Sequence, residues 1–297
     1  METRRLQYFV AIVDAESITR AAEILLVAQP ALSQHMTALE AEFREKLLVR
    51  SRKGVYPTPA GQSVYRYARA ILRLEEAARN DIASSADNPA GQVSIGLAPY
   101  SQFSYTILPI LRMIRQRYPG ILIRTMETLN VVHSHAIRIG QIDAGLIYQP
   151  GHIEGILFET ISTEELYLVA APGTTGSSGF GDEVQLSSVA DLWFIMPRDE
   201  HTLRRRMDAA MFGIGRELNV AVELEHTQPL ARAVMLGLGV TVLPLTAAQT
   251  LFSDTDATVS RIIEPALPVT LALATAEDQQ RSPAAEIVIE TLRDLTR

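Results

Sequence analysis

The spacing of apolar residues changes period at Gln92, and this change limits the folds open to the chain more than any other feature. Before it, apolar residues recur mostly every three or four positions, as on amphipathic helices; after it, short β-rich runs alternate with helical segments. The pattern predicts a helical N-terminal domain and an α/β remainder built on mainly parallel sheets. With 297 residues, two or three domains are expected, each large enough to bury its own core. Ser84 to Gly91, a polar stretch containing Pro and Gly, reads as a hinge.

Two helices open the chain. Leu6, Phe9, Val10 and Val13 fall at helical spacing, and after Ser17, a plausible N-cap, so do Ile18, Ala21, Ala22 and Leu25. Val27-Ala28-Gln29 interrupts, Pro30 suits the first position of a third helix, and Leu32, Met36, Leu39 and Phe43 give that helix a buried face. Its opposite face carries Pro30, Gln34, Thr37 and Ala41, with Ser33 on the flank. Two short helices joined by a tight turn make a helix-turn-helix, although a generic helical bundle would show the same periodicity. Leu47 to Arg50 then reads as a strand, Ser51 to Gly54 as a turn and Val55-Tyr56 as the returning strand, together a basic-tipped wing. Thr58-Pro59-Ala60-Gly61 opens a long helix whose stripe of Val64, Tyr67, Ala68, Ile71, Leu74, Ala78 and Ile82 is expected to pair with a copy of itself.

Charge divides the chain at the same place. The 34 acidic and 27 basic residues leave a net charge of −7, which taken alone argues against nucleic acid. Residues 1–92, however, hold 12 basic and 11 acidic side chains, net +1, whereas residues 93–297 hold 15 and 23, net −8. Arg44, Lys46, Arg50, Arg52 and Lys53 crowd into ten positions with one acid, Glu45, the look of a phosphate-facing spot. Lys46 and Lys53 are the only lysines, so neither a P-loop nor a Schiff-base lysine exists in the α/β part.

Several chemistries drop out. The absence of cysteine excludes disulfides, iron–sulfur clusters and thiolate zinc sites. Of the six histidines only His133 and His135 are close, and at i and i+2 on a helix they point apart, which argues against a metal site. No GxSxG, HExxH or paired-carboxylate signature marks a catalytic centre, so neither an enzyme nor a cofactor is expected. METRRLQYFVAIVDAES lacks a signal-peptide cleavage site, and no run approaches the roughly 18 apolar residues of a membrane span. A cytoplasmic protein without membrane contact is the expectation.

In the α/β part the expected strands are Val93 to Leu97, Leu122 to Glu127, Ala144 to Tyr148, Leu166 to Ala171, Trp193 to Met196, Val220 to Glu225, Val240 to Leu243 and Val269 to Leu273. Helical segments lie at Ile107 to Tyr118, Val131 to Ile139, Thr202 to Phe212, Pro229 to Leu236 and Ala284 to Leu295. The glycine-rich run Gly173 to Gly181 matches no phosphate-binding loop and reads as a surface loop.

Taken in order, these segments resemble the LysR-type transcriptional regulators over the whole chain. SITRAAEILLVAQPALSQHMTALE is similar to the family's helix-turn-helix signature, LLVRSRKGVYPTPAG to its wing and linker-helix start, QVSIGLAP to the opening of its effector domain, and GLGVTVLP to a Gly-x-Gly-hydrophobic-Leu-Pro segment of that domain. LLVRSRKGVYPTPAG with GQVSIGLAP is most similar to the family's nitrogen assimilation control branch. Three residues depart from the family pattern: Arg44 where a glycine closes the recognition helix, Leu48 in place of phenylalanine, and Gln34 where many members carry arginine.

The resemblance implies a winged helix-turn-helix at 1–58, a linker and dimerisation helix with hinge at 59–91, and an effector domain at 92–297. That domain would be two Rossmann-like α/β subdomains resembling periplasmic binding proteins, lobe one at 92–162 and 267–297 and lobe two at 163–266. It further implies dimers or tetramers on double-stranded operator DNA and a small-molecule effector, while this branch also allows that none is used. A solute-binding or enzymatic two-lobed α/β protein with a helical N-terminal addition is the competing reading, and the wing argues against it.

For DNA contact, Gln34 offers a donor and an acceptor to a base edge, the pairing that suits adenine, and Ser33 reaches a base or a phosphate. Gln29 is expected to cap the helix and touch a phosphate, Thr37 to assist, and Arg50, Arg52 and Lys53 to meet phosphates or the minor groove from the wing. For an effector, ligands of open α/β sheets collect at the C-terminal ends of strands. That rule selects Tyr100, Ser101, Gln102, Thr128, Tyr148, Thr202 and Thr227 as hydrogen-bonding groups and Arg198 as the partner of a carboxylate, hence a small polar anion. Each is equally readable as a helix cap or turn residue. His201 and His226 read as ordinary polar or partly buried residues rather than bases, with lining of a ligand cleft as the alternative, and Met207, Met211 and Met235 as core filling.

Overall fold

Ser17 shows how the first domain is specified. Its Oγ accepts a hydrogen bond from the Arg20 amide (3.3 Å) and caps α2 (Ile18–Ile24), which follows α1 (Thr3–Ala15) and leads to α3 (Gln29–Phe43). Leu6, Phe9, Ile12, Leu32, Met36 and Leu39 are buried between these three helices. Pro30, Gln34, Thr37 and Ala41 are exposed on the other side of α3 and Ser33 is half-buried. Phe43, expected inside, is 39% exposed, because α3 ends there and Arg44 turns the chain with a left-handed φ of 55°. The computed structural model describes residues 2–51, 54–83, 89–174, 180–277 and 281–295.

Strands β1 (Leu48–Ser51) and β2 (Gly54–Pro57) form the antiparallel wing, from Leu48 opposite Pro57 to Ser51 opposite Gly54. Glu40, near the end of α3, accepts from the Leu47 and Leu48 amides (3.0 and 3.3 Å) and pairs with Lys46 (2.6 Å), which fastens the wing to the helix. Burial works against ionisation of that carboxyl, but Lys46 and the two amides outweigh it and hold it below its ordinary range. The wing tip, with Arg52 and Lys53, and most of the hinge and of the glycine-rich run lie outside the described residues.

Helix α4 (Pro59–Ala83) follows. Its expected stripe divides: Val64, Ala68 and Ile71 pack on the N-terminal core together with Tyr65, whereas Tyr67 (70%), Leu74 (42%) and Ala78 stand exposed. The first half of the helix therefore has a partner within the chain, α1, and only its outer side is left for a second copy. The side chain of Ile82 lies outside those described.

The α/β part runs β3 (Ala90–Leu97), α5 (Gln102–Arg117), β4 (Gly120–Glu127), α6 (Asn130–Arg138), β5 (Ala144–Tyr148) and β6 (Ile156–Ala170). It continues through β7 (Glu183–Gln185), α7 (Leu186–Val189), β8 (Phe194–Met196), α8 (Thr202–Gly213), β9 (Val220–Glu223), α9 (Thr227–Met235), β10 (Thr241–Pro244) and α10 (Leu245–Leu251). It closes with β11 (Thr258–Ile263), β12 (Pro268–Ala276) and α11 (Pro283–Leu295). Strands pair in the order β4-β3-β5-β12-β6-β11-β7, with β10 also on β6 and β8 joined to β9.

The expectation of mainly parallel sheets is corrected. β3 is parallel to β4 and β5, β7 to β11 and β8 to β9, but β5–β12, β12–β6, β6–β10 and β6–β11 are antiparallel, so the sheets are mixed. The cause is topological: β6 leaves the first subdomain and β12 returns to it, so the two crossing strands run against each other. The result is two α/β subdomains joined by those strands. β7, α7, α10, β11 and the first half of β6 escaped sequence reading because their alternation is short or polar. β8 starts one residue later than expected, leaving Trp193 61% exposed.

Candidate nucleic-acid interface and effector cleft

The outward face of α3 presents Gln34 and Thr37 to solvent, with Ser33 at its edge. Thr37 Oγ1 donates to the Ser33 carbonyl (3.1 Å), which fixes its rotamer and leaves its lone pairs outward. Gln29 is exposed at the first position of α3, but Ala28 is the N-cap and receives no side-chain bond, so the capping role expected of Gln29 is not seen. The free amides at this end favour an anion. Arg50 is exposed on β1, on the wing that Glu40 ties to α3. Behind the helix, His35 meets Tyr8 edge to face at 4.9 Å, and Arg4 Nε donates to the Tyr8 hydroxyl (3.0 Å).

Between the subdomains the strand ends converge. Tyr100, buried with a left-handed φ of 60°, donates its hydroxyl to the Leu224 carbonyl across the cleft (3.0 Å), and its ring meets His201 edge-on at 5.3 Å. Tyr148 donates to the Tyr100 carbonyl (3.2 Å). Asn130 Nδ2 reaches both the Tyr148 carbonyl (2.6 Å) and Thr202 Oγ1 (2.9 Å), a second bond between subdomains. Gln102 donates to Ser162 Oγ (3.0 Å). Ser101 is fully buried, and its Oγ has no partner among the described residues; the same holds for both carboxylate oxygens of Glu164.

Tyr100, Ser101, Gln102, Tyr148 and Thr202 are thus brought together. Thr128 lies at the edge, its amide on His133 Nε2 (3.2 Å), and Thr227 is half-buried at the start of α9. Arg198 stands apart from them: it is 55% exposed and its guanidinium pairs with Glu225 (2.9 Å). A hollow of about 420 Å³ at the mouth of the cleft is lined by Tyr148, Thr202, Arg205, Arg206 and Thr270 among others. Arg206 there is spent on the Pro268 carbonyl (2.7 and 3.1 Å), whereas exposed Arg205 forms no ion pair among the described residues.

Burial sets the titration of the cleft. It pushes the Glu164 carboxyl up to about 7 and His201 down to about 4, with Glu225 opposing the latter, so His201 is neutral near pH 7. His201 Nδ1 accepts from the Leu203 amide (3.1 Å) and caps α8. Asn130, Glu164 and His201 were not among the residues selected for the cleft, although Asn130 and His201 both stand within strand-end segments of the sequence, Thr128 to Asn130 and Pro197 to Thr202; Glu164, inside a strand, carried no such signal. Met207 and Met211 are fully buried, as core filling requires.

Among the described residues no helix is long and apolar enough to cross a membrane, and no cluster of three His, Asp or Glu side chains is placed to hold a metal ion. The chain matches the bacterial regulatory helix-turn-helix protein model of the lysR family over residues 3–62 and the LysR substrate binding domain over residues 86–297. It therefore belongs to the LysR family of transcriptional regulators, a class of regulators and not of enzymes.

Within that family it is similar to the nitrogen assimilation regulatory protein nac of Klebsiella aerogenes, at 36% identity over 99% of this chain and 95% of that protein. It is 37% identical to the Escherichia coli K12 protein of the same name over 98% and 94%. Full-length OxyR C199D of Pseudomonas aeruginosa superposes with a TM-score of 0.74 at 22% identity, over 99% of this chain and 95% of that one. CbnR, a LysR family transcriptional regulator, gives 0.68 at 23% over the whole of both chains, and CbnR has also been solved in complex with its target DNA.

Proposed function

We propose that this regulator binds operator DNA as a dimer or tetramer, reads bases with Ser33 and Gln34, and holds phosphates with Gln29, Thr37, Arg50, Arg52 and Lys53. Its place of action is the cytoplasm, where the operator is. The observation that carries this reading is the outward, solvent-facing row of Gln34 and Thr37 on α3, backed by buried Leu32, Met36 and Leu39. The likeness to two nitrogen assimilation regulatory proteins supports genes of nitrogen assimilation as targets. For the regulatory half, the hollow beside Tyr148 and Thr202 supports a small polar anionic effector, with Arg205 in the role first expected of Arg198.

Fluorescence anisotropy with DNA from upstream of the chain's own gene tests the assignment. Gln34→Ala is expected to cost about 1–3 kcal/mol at the cognate site and to relax base preference. Arg50→Ala is expected to weaken binding to all sequences alike and to lower the salt slope by about one. If Gln34→Ala changes neither affinity nor preference, α3 is not the reading helix.

A further inference from the structure

A larger hollow, about 680 Å³, lies where the winged helix, α4 and the first subdomain meet, and shares no residue with the interlobe cleft. Its walls come from Val13 and Asp14 on α1, from the start of α4, and from α6 with the turn after it. The walls are fastened to one another. Ile139, just past α6, is 5% exposed within the N-terminal core, Gln141 Nε2 donates to the Tyr65 hydroxyl (2.9 Å), and the Arg73 guanidinium packs against Gly140, leaving no room for a Cβ there.

The charges in these walls do not balance. Arg66, Arg69 and Arg138 line the hollow against a single carboxylate, Asp14. That carboxylate is already used: Arg69 Nη2 holds one oxygen (2.8 Å) and the Tyr65 hydroxyl the other. Arg66 reaches only Ser63 Oγ (3.5 Å), and among the described residues neither Arg66 nor Arg138 forms an ion pair. His135 stands beside them in the lining, held below its ordinary pKa by burial and by the neighbouring Arg138. Two uncompensated guanidinium groups facing one hollow attract a counter-ion, and planar donor forks match phosphate and carboxylate oxygens. The volume is within the range of small-ligand sites.

We propose that this hollow binds a small multivalent anion, a phosphate-bearing or polycarboxylate metabolite, bridged between Arg66 of the linker helix and Arg138 of the regulatory domain. Bound there, the anion fixes the DNA-binding half against the regulatory half, so its affinity and that for DNA are linked reciprocally. This goes beyond the cleft reading and uses different residues. The same cations would also suit a DNA backbone phosphate, and the experiment separates the two sources.

Calorimetry on the full-length, DNA-free protein at physiological ionic strength, with pyrophosphate and then citrate as probes, tests it. At least one probe is expected to bind, Arg66→Gln and Arg138→Gln each to weaken it about tenfold or more, and Arg112→Gln, an exposed arginine of α5 that lines neither hollow, to bind like the wild type. In anisotropy, the bound probe is expected to shift operator affinity in the wild type and not in Arg138→Gln. The proposal falls if neither probe binds, if both hollow variants bind as the wild type does, or if Arg112→Gln abolishes binding. It also falls if the probes fail while Arg66→Gln lowers the salt slope for DNA, which would give the charge to the DNA backbone.

Discussion

Arg44 ends the recognition helix with φ 55° and ψ 27°, a conformation in which an L side chain crowds its own backbone and glycine does not. The strain costs roughly 1–2 kcal/mol, and the extra freedom glycine has when unfolded returns part of that. Arg44→Gly is therefore expected to stabilise the winged helix by about 0.5–1 kcal/mol in urea unfolding, and to weaken DNA binding by the loss of an exposed cation. A fall in stability would mean that the arginine side chain holds the turn. The departure from the family's glycine was legible from the sequence, but its backbone angle was not. The outward placing of Gln34 and Thr37 was legible too, since a helix one residue out of phase would have buried them, whereas the ion pair of Arg198 was not, because its partner Glu225 stands 27 positions away.

Among the elements, α4 shows how far a stripe can be trusted. Helical spacing correctly gathered Val64, Ala68 and Ile71, but these pack on α1, and spacing alone does not say whether a partner helix belongs to the same chain. The residues left for a second copy are Tyr67 and Leu74. Replacing both by glutamate is expected to give monomers by light scattering with unchanged circular dichroism, because neither contributes to the buried core. Wild-type oligomers would put the dimer seam elsewhere. Replacing Ile71, half-buried in the N-terminal core, would instead confuse dissociation with unfolding. In the sheet, strands such as β5 and β10, buried throughout, announced themselves as apolar runs, while the polar first half of β6 did not.

At the scale of the molecule, the crossing strand β6 carries Glu164 with both oxygens buried and no partner among the described residues. Its carboxyl is raised from 4.5 to about 7, so the unfolded chain releases this proton before the folded one does. Stability is then lost as pH rises from about 4.5 through about 7, by at most about 3 kcal/mol before a discount for partial exposure. Glu164→Gln is expected to flatten that fall and to be more stable than the wild type at pH 8 in denaturant titrations; equal slopes in both proteins would sink the assignment. His201, lowered from 6.5 to about 4, acts oppositely and costs stability as pH falls through that window. By itself the sequence determined the helix-turn-helix, the wing, the outward face of α3, the linker helix and the α/β alternation, because periodicity, caps and turns are written within a few residues of where they act. The tertiary structure alone decided the antiparallel crossing of β6 and β12 and the tie from Tyr100 to Leu224, 124 positions on. It also decided the pairing of Arg198 with Glu225 and the two unbalanced arginines between the domains. Each of these depends on which distant group arrives opposite, and that is settled only when the subdomains pack.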